Sequence, residues 1–91
     1  NLKSLNLAGN QITDQGATAL AESKTFKNLK TLNLNDNSIG DEGAKILAAT
    51  NHLSQLEKLT LEENQIGPIG AKALAESTSL QNLAHPIFGF H

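Results

Sequence analysis

The side chains best suited to proton transfer or metal binding are two adjacent carboxylate pairs, Asp41-Glu42 and Glu62-Glu63, and three histidines, His52, His85 and His91. Acid–base catalysis needs a pocket and a partner that shifts a pKa, and neither pair comes with one. Asp41 and Glu42 stand in the first turn of an expected helix, where acids complement the helix dipole. Glu62 and Glu63 are expected to end a strand on an open sheet face. A zinc site takes three or four converging ligands. Cysteine is absent, and His85 and His91 are six apart across Pro86, which is no standard ligand spacing. The runs from Gly40 to Gly43 and from Gly67 to Gly70 lack the Lys-Ser or Lys-Thr that follows a phosphate loop. No Ser–His–Asp set can be assembled. The expectation is no catalytic residue, no metal, no cofactor and no enzyme.

The remaining polar feature is a column. Asn10, Asn37 and Asn64 recur every 27 residues, and so do Leu2, Leu29, Leu56 and Leu83. With them run Leu5, Leu32 and Leu59; Leu7, Leu34 and Leu61; Ile12, Ile39 and Ile66; Gly16, Gly43 and Gly70; and Leu20, Leu47 and Leu74. No insertion interrupts the columns. Repetition at this period is the mark of a stacked-repeat architecture.

Each unit changes period half-way. Leu5-Asn6-Leu7 alternates as a short strand does. Ala17, Leu20 and Ala21 then recur at i, i+3 and i+4, one face of a helix. Pro68 predicts the first helical position of the third unit, since proline's missing N–H costs nothing there. Asp14 and Asp41 are its equivalents, and Thr13, Gly40 and Gly67 become the caps. A lone strand and helix cannot bury both leucine faces; stacked units cover one another. Parallel strands lie about 4.8 Å apart and helices need about 10 Å. The stack therefore bends, with strands inside and helices outside. Small residues such as Gly16, Ala17 and Ala21 let the helix lie close and moderate that bend.

The units are read as 1–27, 28–54 and 55–81, with 82–91 a partial or terminating unit. In that last segment Pro86 takes the second leucine position and Phe88 the third. Proline belongs on an edge strand, so Pro86-Ile87-Phe88-Gly89-Phe90 is read as an end to the array; the alternative is an ordinary next unit. The chain opens inside the pattern, at Asn1-Leu2-Lys3, and is expected to be part of a longer repeat protein.

Leu2-x-x-Leu5-x-Leu7-x-x-Asn10-x-Ile12-x-x-x-Gly16-Ala17-x-x-Leu20-Ala21 resembles the leucine-rich repeat family, in its ribonuclease-inhibitor-like class. The resemblance covers residues 1–81. It implies an α/β fold, a right-handed β/α solenoid with a parallel sheet on the concave face and helices on the convex face. Relatives include ribonuclease inhibitor, NOD-like receptors, Ran GTPase-activating proteins and bacterial effectors, most of which recognise a macromolecule through the repeats. In this family's geometry the side chains of Asn10, Asn37 and Asn64 turn inward to satisfy backbone groups. They and Pro68 are thus expected to be structural.

Residues between the strand leucines face the concave side. The rows are Ser4, Asn6, Ala8 and Gly9; Thr31, Asn33, Asn35 and Asp36; and Lys58, Thr60, Glu62 and Glu63. The expected partner surface comprises Ser4, Asn6, Thr31, Asn33, Asn35, Asp36, Lys58, Thr60, Glu62 and Glu63, and turns acidic toward the last unit. Another protein is the expected partner. Regulation of a GTPase or other enzyme, or a spacer role within a longer array, are the alternatives.

Net charge is −2, and the seven basic residues, all lysine, are dispersed. A nucleic-acid binder carries a basic stripe, so no nucleic acid is expected. Hydrophobic residues make up 38%, too many for a disordered tail, and no run approaches the about 20 apolar residues of a membrane span. Leu2, Leu5, Leu7 and Ile12 are expected at an open repeat end through which the chain self-associates. Lysine without arginine, with ten asparagines, suits an AT-rich coding sequence of an intracellular bacterium or protist. The setting expected is the cytoplasm, or a host cell reached by secretion.

Overall fold

The computed structural model describes residues 2–80. The Pro86 segment and the histidines at 85 and 91 lie outside the described residues. Elements alternate strictly: β1 (Ser4–Asn6), α1 (Asp14–Glu22), β2 (Thr31–Asn33), α2 (Asp41–Ala49), β3 (Lys58–Thr60) and α3 (Pro68–Ala75). The three strands form an open parallel sheet in the order β1-β2-β3. Leu5 pairs with Leu32 and Leu32 with Leu59, so the 27-residue period of the sequence is the register of the sheet. The helices pack in the same order, α1 on α2 and α2 on α3. The chain is an α/β repeat solenoid.

Every other strand residue is apolar, and the leucines point into the space between sheet and helices. There Leu29, Leu32, Leu34, Ile39, Leu47, Leu53, Leu56, Leu59 and Leu61 are fully buried. Alanines and glycines on the inner helix faces (Ala17, Ala21, Gly43, Ala44, Ala48 and Gly70) keep the helix backbones near the sheet. Units differ in cover. Leu5, Leu7 and Ile12 of the first unit are half-buried and Leu2 is 48% exposed, whereas Leu59 and Leu61 of the third unit are buried.

The helices begin at Asp14, Asp41 and Pro68, with Thr13, Gly40 and Gly67 as extended cap residues. None of the three caps supplies a side-chain hydrogen bond to its own helix. The first-turn N–H groups of α2 and α3, which a helix cannot satisfy internally, are met from elsewhere. One carboxylate oxygen of Asp14 accepts hydrogen bonds from the Gly40 N–H (2.7 Å) and the Gly43 N–H (3.1 Å) of the next unit. Asp41 does the same for Gly67 (2.7 Å) and Gly70 (2.9 Å). Each acid therefore caps its successor's helix.

Candidate functional site

Two polar surfaces flank the core: the outer face of the sheet with the turns that leave it, and the ends of the helices. The sheet face is built from the residues alternating with the leucines. Ser4, Asn6 and Lys58 are exposed, and Thr31, Asn33 and Thr60 are half-buried. Three of its amides are already engaged. Asn6 Oδ1 accepts from the Ala8 N–H (3.0 Å). Asn33 Oδ1 accepts from the Asn35 N–H (2.9 Å) and the Thr60 hydroxyl (3.1 Å), and Asn35 Oδ1 from the Glu62 N–H (2.8 Å). These amides thus bind turn and neighbouring unit together as well as facing outward.

The strands are shorter than the sequence suggests. Glu62 and Glu63 do not end a strand, because β3 stops at Thr60. Backbone bonds between units run on as far as Asp36 N–H to the Glu62 carbonyl (2.8 Å), and at the ninth position of each unit the chain turns away: Gly9, Asp36 and Glu63 all adopt left-handed φ of 70°, 59° and 60°. Such a residue cannot continue an extended chain. Asn35, Asp36, Glu62 and Glu63 therefore line the turn beyond the sheet rather than the sheet itself. Asp36, Glu62 and Glu63 are exposed, and among the described residues no hydrogen bond or ion pair takes up their carboxylates. Lys58 is likewise uncommitted among the described residues. The two ion pairs among the described residues, Lys30–Glu57 at 3.3 Å and Lys45–Glu42 at 3.4 Å, lie elsewhere on the surface.

Behind this turn stands the asparagine column. Asn37, 8% exposed, uses its whole amide. Its Oδ1 accepts from the N–H groups of Asn10 and Ile12 in the preceding unit, both at 2.9 Å. Its Nδ2 donates to the carbonyls of Leu7 (3.1 Å), Leu34 (3.0 Å) and Asn35 (3.1 Å). Asn64 accepts from the Ile39 N–H (3.0 Å) and donates to the Leu34, Leu61 and Glu62 carbonyls. Asn10 is exposed, and its amide donates to Ala8 of its own unit (3.2 Å). The neighbouring turn residues also differ. Ser38 and Gln65 donate their N–H to the preceding unit's Ile12 and Ile39 carbonyls (2.7 and 2.9 Å), while Gln11 sits at φ 58°.

Sequence reasoning missed a third column, at the helix C-termini. The Thr50 hydroxyl donates to the Ala21 carbonyl and the Ser77 hydroxyl to the Ala48 carbonyl, each reaching back one unit. Both hydroxyls also accept, from the His52 and Leu80 N–H groups (3.1 Å each). The signal was available, since Ser23, Thr50 and Ser77 stand 27 apart.

The described surface includes a polar and a more apolar depression. One, polar, is lined by Gly9, Gln11, Asp36, Asn37 and Ser38; Asp36 is its single titratable group. The other lies at the C-terminal ends of α1 and α2, between Ala21, Glu22, Ile46, Ala49, Thr50, Asn51 and His52. No three histidine, aspartate or glutamate side chains converge as metal ligands among the described residues. No described helix is long and apolar enough to cross a membrane. What this arrangement offers is a hydrogen-bonding sheet face bordered by free carboxylates.

Comparison with protein families places residues 1–44 in a match to the model described as Leucine Rich repeats (2 copies). Residues 52–75 match the model described as Leucine Rich repeat. Comparison with curated proteins finds no match.

Proposed function

Because the chain belongs to the leucine-rich repeat family, we propose that it is a protein-recognition segment of a longer array of the ribonuclease-inhibitor-like class, working through its concave sheet face and the turns beyond it. Leucine-rich repeat domains are generally protein-interaction modules, and their repeats are typically non-enzymatic. The reading is supported above all by the exposed carboxylates of Asp36, Glu62 and Glu63, which no described group neutralises. Ser4, Asn6, Thr31, Asn33, Asn35, Lys58 and Thr60 add hydrogen-bonding capacity beside them. The partner presents lysine or arginine to the acidic turns, because complementary charge steers encounter and suppresses wrong partners.

A standard interface uses about 20–30 residues a side. The sheet rows and turns supply fewer, and the chain has no arginine, tyrosine or tryptophan, the types that most often anchor an interface. The stretch therefore contributes part of a larger contact area. Photo-crosslinking groups at Thr31 on the sheet face and at Lys45 on a helix, in the parent protein in its own cells, test the assignment. Protein adducts are expected from Thr31 and not from Lys45; the reverse would overturn it. Charge reversal of Glu62 and Glu63 to lysine should lower the Thr31 adduct yield about tenfold. An undiminished yield would leave this stretch a spacer.

A further inference from the structure

The polar depression beyond the sheet sits across the boundary of the first two units. Gly9 and Gln11 form one side of it, and Asp36, Asn37 and Ser38 the other. It measures about 280 Å³, against about 30 Å³ for one water molecule, so a group of a few heavy atoms can enter. What opens it is the absence of a side chain at Gly9. The turn does not demand glycine, because Asp36 and Glu63 take the same place in their own units with the same left-handed backbone. A Cβ on Gly9 would touch Asp36 Oδ2 at 3.7 Å, so a longer side chain there would lie against the carboxylate. At the next boundary Asp36 itself stands in the place of Gly9, beside Glu63.

The lining holds acceptors with spare capacity. The Asp36 carboxylate is exposed and accepts no hydrogen bond from a described residue. The Gln11 and Ser38 side chains are equally uncommitted among the described residues, and only the Ser38 N–H is engaged, by the Ile12 carbonyl. Asn37, by contrast, spends its whole amide on backbone groups. One negative charge beside neutral oxygens suits a cation with several donors. A guanidinium presents five N–H groups in a planar fork, enough for both carboxylate oxygens and for an amide or hydroxyl oxygen as well. An ammonium has three donors and meets a carboxylate as a point charge.

We propose that this depression is the anchor subsite for an arginine side chain of the partner protein, with Asp36 as counter-ion and the gap at Gly9 as the entrance. The inference rests on the protein-recognition reading for the source of the arginine. It goes further in selecting arginine over lysine, and Asp36 over Glu62 and Glu63.

Amide chemical shifts of the full chain, titrated with acetyl-Gly-Arg-Gly-amide, test it beside the same peptide carrying lysine or the neutral isostere citrulline. The arginine peptide should give saturable shifts at Gly9, Asp36 and Ser38 and bind about tenfold tighter than the lysine peptide, the worth of one charge-assisted hydrogen bond. Citrulline should give no saturable shift. Asp36→Asn should weaken arginine binding by the same factor, and so should Gly9→Asn, which fills the gap with a residue that tolerates left-handed backbone. The spectra report the fold of each variant, and Asp36→Asn, at an exposed position, decides if Gly9→Asn does not fold. No saturable shift with arginine, equal affinity for lysine, undiminished binding in Asp36→Asn, or a larger loss from Glu62→Gln with Glu63→Gln would each overturn the proposal. In the parent protein, Thr31 adducts undiminished by Asp36→Asn would remove this subsite alone; no Thr31 adducts without any substitution would remove the reading beneath it.

Discussion

An asparagine amide accepts and donates at once, and Asn37 uses both capacities across a unit boundary. Its two accepted hydrogen bonds and the one donated to the Leu7 carbonyl hold the turn of one unit to the turn of the one before, while those donated to the Leu34 and Asn35 carbonyls brace its own turn. A buried polar group left without its partner costs about 1–3 kcal/mol, and truncating Asn37 strands several at once. Asn37→Ala is therefore expected to lower unfolding free energy by about 3 kcal/mol or more, against about 1 kcal/mol or less for Asn10→Ala, whose one bond is exposed. Urea denaturation of the two variants measures the difference, and equal costs would mean that the inter-unit bonds carry none of it. The asparagine column was legible as a column, because a polar residue cannot recur at one place among leucines by accident of composition. Its partners were not, since they depend on which backbone groups the stacking brings within reach. The acidic residues show the other limit. Asp36 and Glu63 occupy a left-handed position that nothing in their type announces; only Gly9, aligned with them, hints at it.

At the scale of the helix, glycine at the third helical position of each unit runs against propensity, since alanine is favoured there by about 1 kcal/mol. At Gly43 and Gly70 the preceding unit's aspartate stands in the way, and at Gly16 the obstacle is Ile12 Cγ2, 2.6 Å from where a Cβ would lie. A Cβ on Gly43 would lie 2.6 Å from Asp14 Oδ1 and 2.8 Å from Ile39 Cγ2. Gly43→Ala should thus destabilise by about 2 kcal/mol, the lost cap and overpacking outweighing the gain in propensity. Asp14→Ala alone should cost about 1 kcal/mol. The pair should cost less than the sum, because the second change meets a clash the first has partly removed. A double-mutant cycle by urea unfolding checks this; strict additivity would separate the glycine from the aspartate. The helix starts could be read from proline and acid placement. That the acid serves the neighbouring helix could not, because intra-helix dipole arguments already account for an acid in a first turn.

Across the whole molecule, fold class followed from periodicity alone: a switch from alternation to helical spacing every 27 residues admits few solutions, and Leu5, Leu32 and Leu59 align as that switch demands. Partner identity is not encoded in this way, because the outer face is free to vary while the leucines hold the fold. In such stacks stability is a sum of unit and nearest-neighbour contributions, so unevenly covered ends matter. The 91-residue chain by itself is expected to self-associate through the half-buried Leu5, Leu7 and Ile12 of the first unit. Sedimentation equilibrium should show a mass that rises with concentration, and Leu7→Lys should abolish the rise. A constant monomer mass in the unsubstituted chain would exclude the association.

The forward reach of Asp14 and the backward reach of Asn64 use equivalent atoms at both boundaries. Loss of residues 28–54 by crossover between misaligned copies of the gene would bring Asp14 to Gly67 and Gly70, and Asn64 to Ile12, with every donor and acceptor kept in phase. A deletion of 26 or 28 codons would put leucine on the wet side of the sheet and unpair both columns. Change in array length by whole units therefore keeps both columns paired, whereas a change that shifts the leucines against the neighbouring strand does not.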